Sequence, residues 1–364
     1  MYYAPFKKAA ASDWGVVCTC REPTQLVVAF AAHYVGLGAR EVRLFLDQAQ
    51  PDLEKILAEI PQVIVQVCDA AYWKDIIGKP RPETVEYRQL MNIFHAYKST
   101  KVAWLAHFDA DEFLHSDVCV DDLLSAQPME IDFAVVEPRE RAFVQGELQQ
   151  CLFDGVFRQP LPHNWGNATF LFGAAQRFLR QGVLGYPHGK SFVRTGQAIV
   201  PGIHTPRRPA SHRREKLRGW AVQRARLLHF DGLTSLHWSA KLLRAAAAGG
   251  HHGFKQGGRD THRVKQVIRM RRLGNSLQDA WTMHEMLKVV PQDQIDRLRT
   301  LAVIEDYSID PMRDIDALNL STPIDLSRAA FDRALTAYQP DVSAWLDPWE
   351  TLMRQGKRSK GAAA

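Results

Sequence analysis

Short apolar runs alternate with amphipathic segments from residue 14 onward. Four of these runs have the length of β-strands and lie at residues 14–19, 41–46, 63–67 and 102–108. The fourth run contains His107 as its one polar residue, as expected for a strand covered on both faces in a parallel sheet. Between the runs, apolar residues recur at helical spacing at residues 23–37, at 51–59 and after Pro82, which the first turn of a helix tolerates. The pattern predicts a βαβαβαβ unit, one half of an open α/β sheet.

Acidic side chains follow the carboxyl ends of three of these strands. Glu22 follows the first strand, Asp47 the second, and Asp109 and Asp111 the fourth. Carboxylates at positions i and i+2 of an extended segment point to the same side, so Asp109 and Asp111 can converge on one divalent cation and, through it, on a diphosphate. Open α/β sheets bind ligands at this edge. The alternative is that the acids cap turns after buried strands, and a D-x-D match alone does not decide between the two.

Other short motifs accompany the acidic segment. They are Cys20-Arg21-Glu22, His33-Tyr34 with Leu37-Gly38, Asp47, Arg88-Gln89 with Asn92, Asp109-Ala110-Asp111-Glu112-Phe113, Gly189-Lys190-Ser191-Phe192-Val193-Arg194, Ile203-His204-Thr205-Pro206 and His229-Phe230-Asp231-Gly232. As a set, from about residue 14 to residue 241, they resemble the nucleotide-sugar-dependent glycosyltransferases of the GT-A fold. The resemblance is closer to a bacterial family-2-like branch with a D-A-D-E-F motif. It implies a Rossmann-like open sheet, mostly parallel, with helices on both faces and a helical C-terminal part.

The resemblance also implies a site for Mn²⁺ or Mg²⁺. Asp111 would coordinate the metal directly, and Asp109 would bridge metal and ribose. His229 is the best candidate for a further ligand, because another, retaining branch of GT-A enzymes has a similar His-aromatic-x-Gly segment followed by a lysine, here Lys241. His204 is the second candidate. Neutral imidazole suits Mn²⁺ better than Mg²⁺, although an ordinary surface or core position for His229 carries equal weight.

Donor contacts follow from the same resemblance. Asp47 would accept a hydrogen bond from the base, and Arg21, where the family usually has asparagine, can contact phosphate. Arg88 belongs to the donor-binding set. Glu22 either contacts the donor or caps the helix that follows it. Lys190 and Arg194 lie in a glycine-punctuated segment that can close over the diphosphate, although a hairpin turn would explain the glycines as well.

An inverting transferase needs a general base for the acceptor hydroxyl. The candidates are Asp231 beside His229, Glu137 at the end of a strand predicted at residues 131–136, Glu140 and Asp154. The sequence does not choose among them, and a reaction that retains configuration needs no such base.

Length and composition fit a catalytic domain followed by helices. The 364 residues are 46% hydrophobic and 24% charged, which predicts a catalytic domain at residues 1–245, with a nucleotide-sugar half at about 14–115 and an acceptor half at about 116–245. We expect residues 246–364 to form a helical extension, with helices at 276–289 and 291–304 and a disordered basic tail. No apolar stretch reaches membrane-spanning length and no secretory signal is recognisable, so we expect a cytoplasmic protein.

The chain is basic, with a net charge of +6 and a pI of about 9.0. Its cations concentrate in three places: Arg207, Arg208, Arg213, Arg214, Lys216, Arg218, Arg224 and Arg226, then Arg269, Arg271 and Arg272, and finally Lys357, Arg358 and Lys360. A solvated basic face is the simplest interpretation. Peripheral contact with the inner membrane, where a lipid-linked acceptor would lie, comes second. No nucleic-acid partner is expected, because no RNA or DNA module accompanies these cations.

The sequence therefore predicts a metal-dependent glycosyltransferase. It would move a hexose from a nucleoside-diphosphate sugar, with uridine as the favoured base, to a glycan or glycolipid of the bacterial surface. Trp165 and Trp238 are candidates for stacking on an acceptor sugar, or else core residues. One alternative is a nucleotidyltransferase, which would normally have a glycine- and lysine-rich loop after the first strand. The other is a non-catalytic basic protein that binds membranes or polyanions on a degenerate transferase fold.

Overall fold

A computed structural model describes residues 13–147, 149–165, 168–247 and 262–346. Within these residues, one sheet of 11 strands is surrounded by helices. The strands are β1 (Trp14–Cys20), β2 (Glu41–Leu46), β3 (Val63–Val67), β4 (Trp104–His107), β5 (Glu112–Ser116), β6 (Phe133–Val144), β7 (Val156–Arg158), β8 (Lys190–Arg194), β9 (Gly219–His229), β10 (Val289–Val290) and β11 (Ile304–Glu305). The predicted basic tail lies outside the described residues.

In the first half of the chain the α-helices alternate with strands, and in the second half most of them follow one another. They are α1 (Thr24–Gly36), α2 (Pro51–Leu57), α3 (Val85–Ser99), α4 (Val120–Ser125), α5 (Thr169–Phe172), α6 (Ser235–Ala247), α7 (His262–Leu273), α8 (Leu277–Lys288), α9 (Gln292–Thr300), α10 (Pro311–Asp316) and α11 (Arg328–Tyr338). None of the helices in the described part of the chain combines the length and apolar character needed to cross a bilayer.

The sheet confirms the predicted βαβαβαβ unit. Strands β3, β2, β1 and β4 lie side by side and pair in parallel, so their carboxyl ends share one edge. Beyond β4 the order continues with β8, β6, β7 and β11, and β9 pairs with both β5 and β6. Here the pairing is mixed: β8 is antiparallel to both β4 and β6, whereas β9 runs parallel to β6. The expected parallel arrangement therefore holds for the first half of the sheet.

Helices cover both faces of the sheet. Alternate residues of β1 point to opposite sides, so Val16 packs in the core that contains most of α1, whereas Val17 packs with Ile93 of α3. On the α1 side, the Tyr34 hydroxyl donates to the backbone oxygen of Glu112 at 2.9 Å. Nε2 of His33 lies 2.8 Å from the Leu114 carbonyl oxygen. These contacts fix β5, and with it the end of the acidic motif, against α1.

Several predicted boundaries differ from the structure. Pro82 lies before α3 rather than in its first turn, because the Thr84 hydroxyl caps the helix by accepting from the Tyr87 N–H. The strand expected at residues 131–136 continues to Val144 as β6, because the residues after 136 pair with β9, β7 and β10. The helices expected at 276–289 and 291–304 are present as α8 and the shorter α9.

Candidate functional site

A cleft of about 880 Å³ opens at the carboxyl ends of β1, β2 and β4. This volume lies in the range of small-molecule and cofactor sites. Glu22, Asp47, Asp109 and Asp111 all line it, so the structure brings together the acids that follow three separate strands. Residues from later in the chain complete the lining, among them Gly185, Tyr186, Gly189, Lys190, His204, His229, Asp231, Lys241, Arg244, His262, Arg263 and Gln339.

Asp109 is held by donors from both sides. Its Oδ1 accepts a hydrogen bond from Gln89 at 2.7 Å, and its Oδ2 accepts one from the Lys190 ammonium at 2.6 Å. Burial alone would raise the pKa of Asp109, but the Lys190 and His107 side chains outweigh burial and hold the pKa well below its ordinary value. Asp109 is therefore ionised and fixed in orientation, with about a third of its side chain exposed to the cleft.

Lys190 lies beneath the acids rather than on the surface of the cleft. Its side chain is 1% exposed, and its ammonium contacts Glu112 Oε2 at 2.6 Å as well as Asp109. Burial alone would lower the pKa of Lys190, but the two carboxylates raise it above its ordinary value. Burial raises the pKa of Glu112 to about 7, against the opposing effect of Lys190. The buried Glu112 and the partly exposed Asp109 thus share one ammonium, and Asp109 carries the negative charge more readily than Glu112 does.

Asp111 faces a second lysine. Its Oδ2 accepts from the Lys241 ammonium at 2.6 Å, and its Oδ1 lies 3.8 Å from His229 Nε2. The Lys241 ammonium also lies 3.7 Å from Asp231 Oδ1. Burial opposes ionisation of Asp111, but Lys241 and His229 lower its pKa to about 2. This carboxylate is available to a cation at any pH near neutrality.

The side chains around Asp111 fit a divalent cation. Asp111, His229 and Asp231 each offer one ligand atom, and these atoms lie within 4.8 Å of one another. Two carboxylates and an imidazole suit Mn²⁺ and leave positions for a diphosphate. The cluster differs from the predicted set, because Asp231 takes part in it while Asp109 is engaged by Lys190 and Gln89.

The His229 ring lies between Asp111 and Glu140. His229 Nδ1 lies 3.9 Å from Glu140 Oε2, on the side of the ring opposite to Asp111. Glu140 is buried and accepts backbone hydrogen bonds from Leu184 at 2.7 Å and Gly185 at 2.5 Å. A distance of 3.9 Å is too long for a hydrogen bond, so Glu140 faces the His229 ring without fixing its tautomer. Glu140, one of the four base candidates, is instead engaged by the backbone N–H groups of residues 184 and 185.

His204, the second candidate ligand, lies elsewhere in the cleft. Its Nδ1 is 2.9 Å from the Gly189 carbonyl oxygen, and its ring packs on Tyr186 at 4.0 Å between centroids. Burial and the nearby Lys190 lower the pKa of His204 to about 4, so the ring is neutral. It does not belong to the cluster around Asp111.

The end of the cleft beside β2 contains a buried ion pair. Asp47 Oδ1 lies 2.9 Å from Arg88 Nε, and Asp47 Oδ2 accepts from Arg81 at 2.8 Å. Glu22 Oε2 lies 3.1 Å from Nε2 of His237, so Glu22 has a partner inside the protein. Arg21 is exposed beside it, and its backbone oxygen accepts from the Gln339 amide at 3.2 Å. All four predicted donor residues of this region lie in the cleft: Arg21, Glu22, Asp47 and Arg88.

Three predicted residues do not line the cleft. Glu137 lies within β6 rather than at a strand end, with about half of its side chain exposed and Arg139 3.6 Å away. Asp154 caps a turn by accepting from the backbone of Gln150 and Cys151 at 2.6 and 2.8 Å. Arg194 donates to the carbonyl oxygens of residues 131 and 128 and stacks over Trp104 at 4.2 Å. Their side chains serve local structure, so the structure does not support the base and donor roles expected for them.

Asp231 lies in the cleft but is poorly suited to act as a base. Its Oδ2 accepts from the Trp238 indole at 3.2 Å, and its Oδ1 accepts from Arg263 at 3.3 Å. Burial opposes its ionisation, but Arg263, Lys288 and the cleft cations lower its pKa well below the ordinary value. A carboxylate so readily ionised is a weak proton acceptor. Trp238 is buried and bonded to Asp231, so it is not placed to stack on an acceptor sugar.

Sequence reasoning gave no role to several of the cleft residues. Arg263 is the second residue of α7, and Gln339 comes from the segment after α11, yet both line the cleft. Lys241 lies on α6, near the end of the predicted catalytic domain, and reaches Asp111 across 130 residues of chain. Only Lys241 had a sequence signal, as the lysine that follows the His229 motif.

Known proteins that are similar to this chain are found among the solved structures. No protein-family model matches the sequence, and no curated protein matches it. The solved structures that are similar include the following three. Glucosyl-3-phosphoglycerate synthase from Mycobacterium tuberculosis, in complex with Mn²⁺, UDP-glucose and phosphoglyceric acid, is 12% identical over 36% of this chain and 44% of that chain, with a TM-score of 0.24. TarS 1–349 of S. aureus is 10% identical over 94% and 92%, with a TM-score of 0.30. The mannosyltransferase Ktr4p of S. cerevisiae is 11% identical over 37% and 41%, with a TM-score of 0.23.

The chain spans less than half the length of the mycobacterial synthase and of the yeast mannosyltransferase. With TM-scores below 0.5, these likenesses carry no inference about this chain. Its own side chains provide the basis for the proposal below.

Proposed function

We propose that this protein is a metal-dependent glycosyltransferase that moves a hexose from a nucleoside-diphosphate sugar, with uridine as the base, to a glycan or glycolipid of the bacterial surface. The observation that supports this most is the cluster of Asp111, His229 and Asp231 beside Asp109, at the carboxyl edge of a parallel sheet. A cation site next to a fixed, ionised carboxylate is what a nucleoside diphosphate with a ribose needs.

Two sets of cleft residues would bind different parts of the donor. Asp47 with Arg81 and Arg88 lies where the base would be bound, and Asp109 lies where the ribose and diphosphate would meet the cation. When bound, a divalent cation would supply positive charge for the departing diphosphate. Arg263 and Lys241 add positive charge to the lining of the cleft. Their contribution is electrostatic, because both remain protonated near neutral pH.

The positions of the base candidates favour a reaction that retains configuration. Glu137 and Asp154 lie outside the cleft, Glu140 is occupied by backbone N–H groups, and Asp231 is engaged by Trp238, Arg263 and Lys241. A retaining reaction needs no base for the acceptor hydroxyl. The anomeric configuration of the first product, measured by proton NMR before it equilibrates, tests this part of the proposal.

Hydrolysis of a panel of nucleotide sugars with and without Mn²⁺ tests the function. We expect one sugar nucleotide to be consumed, only with metal, and consumption to be lost in Asp111→Asn. Asp117→Asn is the matched control, since Asp117 is exposed and contacts His115 outside the cleft. Turnover that needs no metal, or that survives in Asp111→Asn, would refute the proposal. Formation of a sugar nucleotide from a nucleoside triphosphate and a sugar phosphate would favour the nucleotidyltransferase instead.

We also propose that a basic surface on one side of the molecule binds anionic lipid at the inner membrane. The segment before and along β9 exposes Trp220 to about half of its area, together with the side chains of Arg213, Arg214, Lys216, Arg218 and Arg224. Each cation near such a surface is worth about 1 kcal/mol, and an exposed tryptophan suits the headgroup region.

Sedimentation with vesicles containing anionic lipid tests this surface. Removing three cations, with Arg213, Arg214 and Lys216 changed to alanine, should weaken binding by about 3 kcal/mol, roughly a hundredfold. The control removes three exposed cations from α7 instead, namely Lys265, Arg269 and Arg272. Equal losses in both variants, or equal binding to neutral vesicles, would show that the surface is not a membrane site. Binding to a soluble polyanion but not to vesicles would do the same.

A further inference from the structure

The ammonium of Lys241 lies between two carboxylates of the candidate metal cluster. It contacts Asp111 Oδ2 at 2.6 Å and lies 3.7 Å from Asp231 Oδ1. Lys241 comes from α6, the helix that begins shortly after Asp231, so one short stretch of chain supplies both a candidate ligand and this cation. The lysine therefore occupies the position between the acids that a divalent cation would also require.

A metal ion and this ammonium cannot use the same acids together in the observed arrangement. The ligand atoms of Asp111, His229 and Asp231 lie within 4.8 Å of one another, and the Lys241 ammonium lies within 4 Å of both Asp111 and Asp231, so an ion bound to these atoms would lie close to the ammonium. Two positive charges at that separation repel strongly in a buried site. Binding of a divalent cation to Asp111 and Asp231 must therefore displace the ammonium of Lys241.

Lys241 is free to move in a way that Lys190 is not. About a third of the Lys241 side chain is exposed to the cleft, and a lysine carries its charge on a flexible four-carbon stem. Lys190 is 1% exposed and contacts two carboxylates at 2.6 Å. Arg263 still holds Asp231 at 3.3 Å when Lys241 leaves, so that carboxylate keeps its orientation. The two lysines thus differ: one is a permanent part of the core and the other is replaceable.

We propose that Lys241 is a resident cation, which holds Asp111 and Asp231 together in the metal-free protein and gives up this place to an incoming divalent ion. The proposal rests on the metal dependence proposed above. It makes Lys241 a positioning residue that preserves the cluster without metal and weakens the intrinsic affinity for metal. Once displaced, its ammonium lies in the cleft that would hold the donor diphosphate.

Direct Mn²⁺ binding, measured by the electron paramagnetic resonance signal of the free ion without any substrate, tests the proposal. Lys241→Met removes the competing charge with little change of volume, so Mn²⁺ should bind at least about tenfold more tightly than to the wild type. Lys241→Arg keeps the charge and should bind Mn²⁺ no more tightly than the wild type. Unchanged or weaker Mn²⁺ binding by a folded Lys241→Met protein would overturn the proposal.

Arg244→Met is the matched control for charge. Arg244 lies on the same helix and lines the same cleft, but its guanidinium contacts Asp341 at 2.6 Å rather than the metal cluster. Its loss should change Mn²⁺ affinity by no more than about threefold, through long-range charge alone. If Arg244→Met tightens Mn²⁺ binding as much as Lys241→Met does, the effect is general and Lys241 is not the resident cation.

Thermal unfolding gives a second measurement that does not depend on turnover. Without metal, Lys241→Met leaves Asp111 and Asp231 without a shared cation, so the variant should unfold at a lower temperature than the wild type in EDTA. Saturating Mn²⁺ should raise its unfolding temperature by more than it raises that of the wild type, because tighter binding stabilises more. A loss that Mn²⁺ does not reverse would indicate a purely structural ion pair. Absence of Mn²⁺ binding in the wild type and in every variant would instead refute the metal dependence itself.

Discussion

Gly189 is the position at which the smallest side chain should disturb the cleft most. It precedes Lys190, and its φ of +70° lies in the left-handed region. A Cβ atom here would lie 3.0 Å from the carbonyl carbon of Val136 and 3.2 Å from the Cα of Glu137, and closer still to the Val136 carbonyl oxygen. These atoms belong to the backbone of β6, which pairs with β8 at this point and cannot move aside easily.

Gly196→Ala is a control that measures the backbone cost of Gly189→Ala without its steric cost. Its φ is +72°, almost the same, but a Cβ atom there would meet no atom within 4 Å. Gly196→Ala should therefore cost about 1–2 kcal/mol, for the left-handed backbone alone. Gly189→Ala adds a forced backbone shift, which costs about 1–3 kcal/mol more. The expected loss of unfolding free energy for Gly189→Ala is thus about 2–5 kcal/mol.

Urea denaturation of the two variants and the wild type measures this difference. We expect equal m-values and a lower midpoint for both variants, with the larger shift for Gly189→Ala. Because the strain falls beside Lys190, Gly189→Ala should also weaken binding of UDP in the presence of Mn²⁺, whereas Gly196→Ala should not. Equal losses of stability in the two variants would refute the close approach to β6, and normal UDP binding by Gly189→Ala would refute its link to the cleft.

Three further predictions concern single side chains of the cleft. Burial raises the folded-state pKa of Glu112 to about 7, so its contribution to stability is present below the unfolded pKa near 4.5 and is lost as the pH rises through 7. Between pH 5 and 8, the free energy of unfolding of Glu112→Gln, measured by urea denaturation, should rise relative to the wild type by up to about 3 kcal/mol. Gly185→Ala would place a Cβ atom 2.9 Å from His229 Nδ1 and should weaken Mn²⁺ binding about tenfold, by titration. Asp47→Ala leaves the buried Arg88 guanidinium without its carboxylate and should cost about 3–5 kcal/mol of unfolding free energy.

Each of these three has an outcome that contradicts it. Parallel pH profiles for Glu112→Gln and the wild type would mean that Lys190 keeps Glu112 ionised throughout. Unchanged Mn²⁺ affinity in Gly185→Ala would show that His229 is not a ligand. A loss below about 1 kcal/mol in Asp47→Ala would place the Arg88 guanidinium in water, contrary to its 8% exposure.

Local patterns were sufficient to predict the first half of the sheet. Strands β1 to β4 are short apolar runs separated by amphipathic helices, and their parallel pairing follows from that alternation. The acids that follow the strands meet in one cleft for the same reason, because parallel strands end at a common edge. Asp47, Asp109 and Asp111 were therefore identifiable as neighbours without knowledge of the packing.

The second half of the cleft depends on packing between distant segments. Asp231 has a φ of +25° and receives contacts from Trp238 and Arg263, on two different helices, and no local pattern in the sequence signals this arrangement. Arg194 lies in a motif suited to phosphate, yet carbonyl oxygens of the chain before β6 use its donors. Glu137 was placed at a strand end because its apolar run stops there, whereas pairing with three other strands extends β6 past it.

The hydrogen bond between the Gln339 amide and the backbone of Arg21 joins two residues 318 positions apart. Arg244 also contacts Gln339, and Phe331 and Leu335 of α11 are buried in the main core. During synthesis on the ribosome, this end of the cleft therefore stays incomplete until residues near 340 have emerged. A nascent chain stalled before that point would lack the contacts of Gln339 with Arg21 and Arg244.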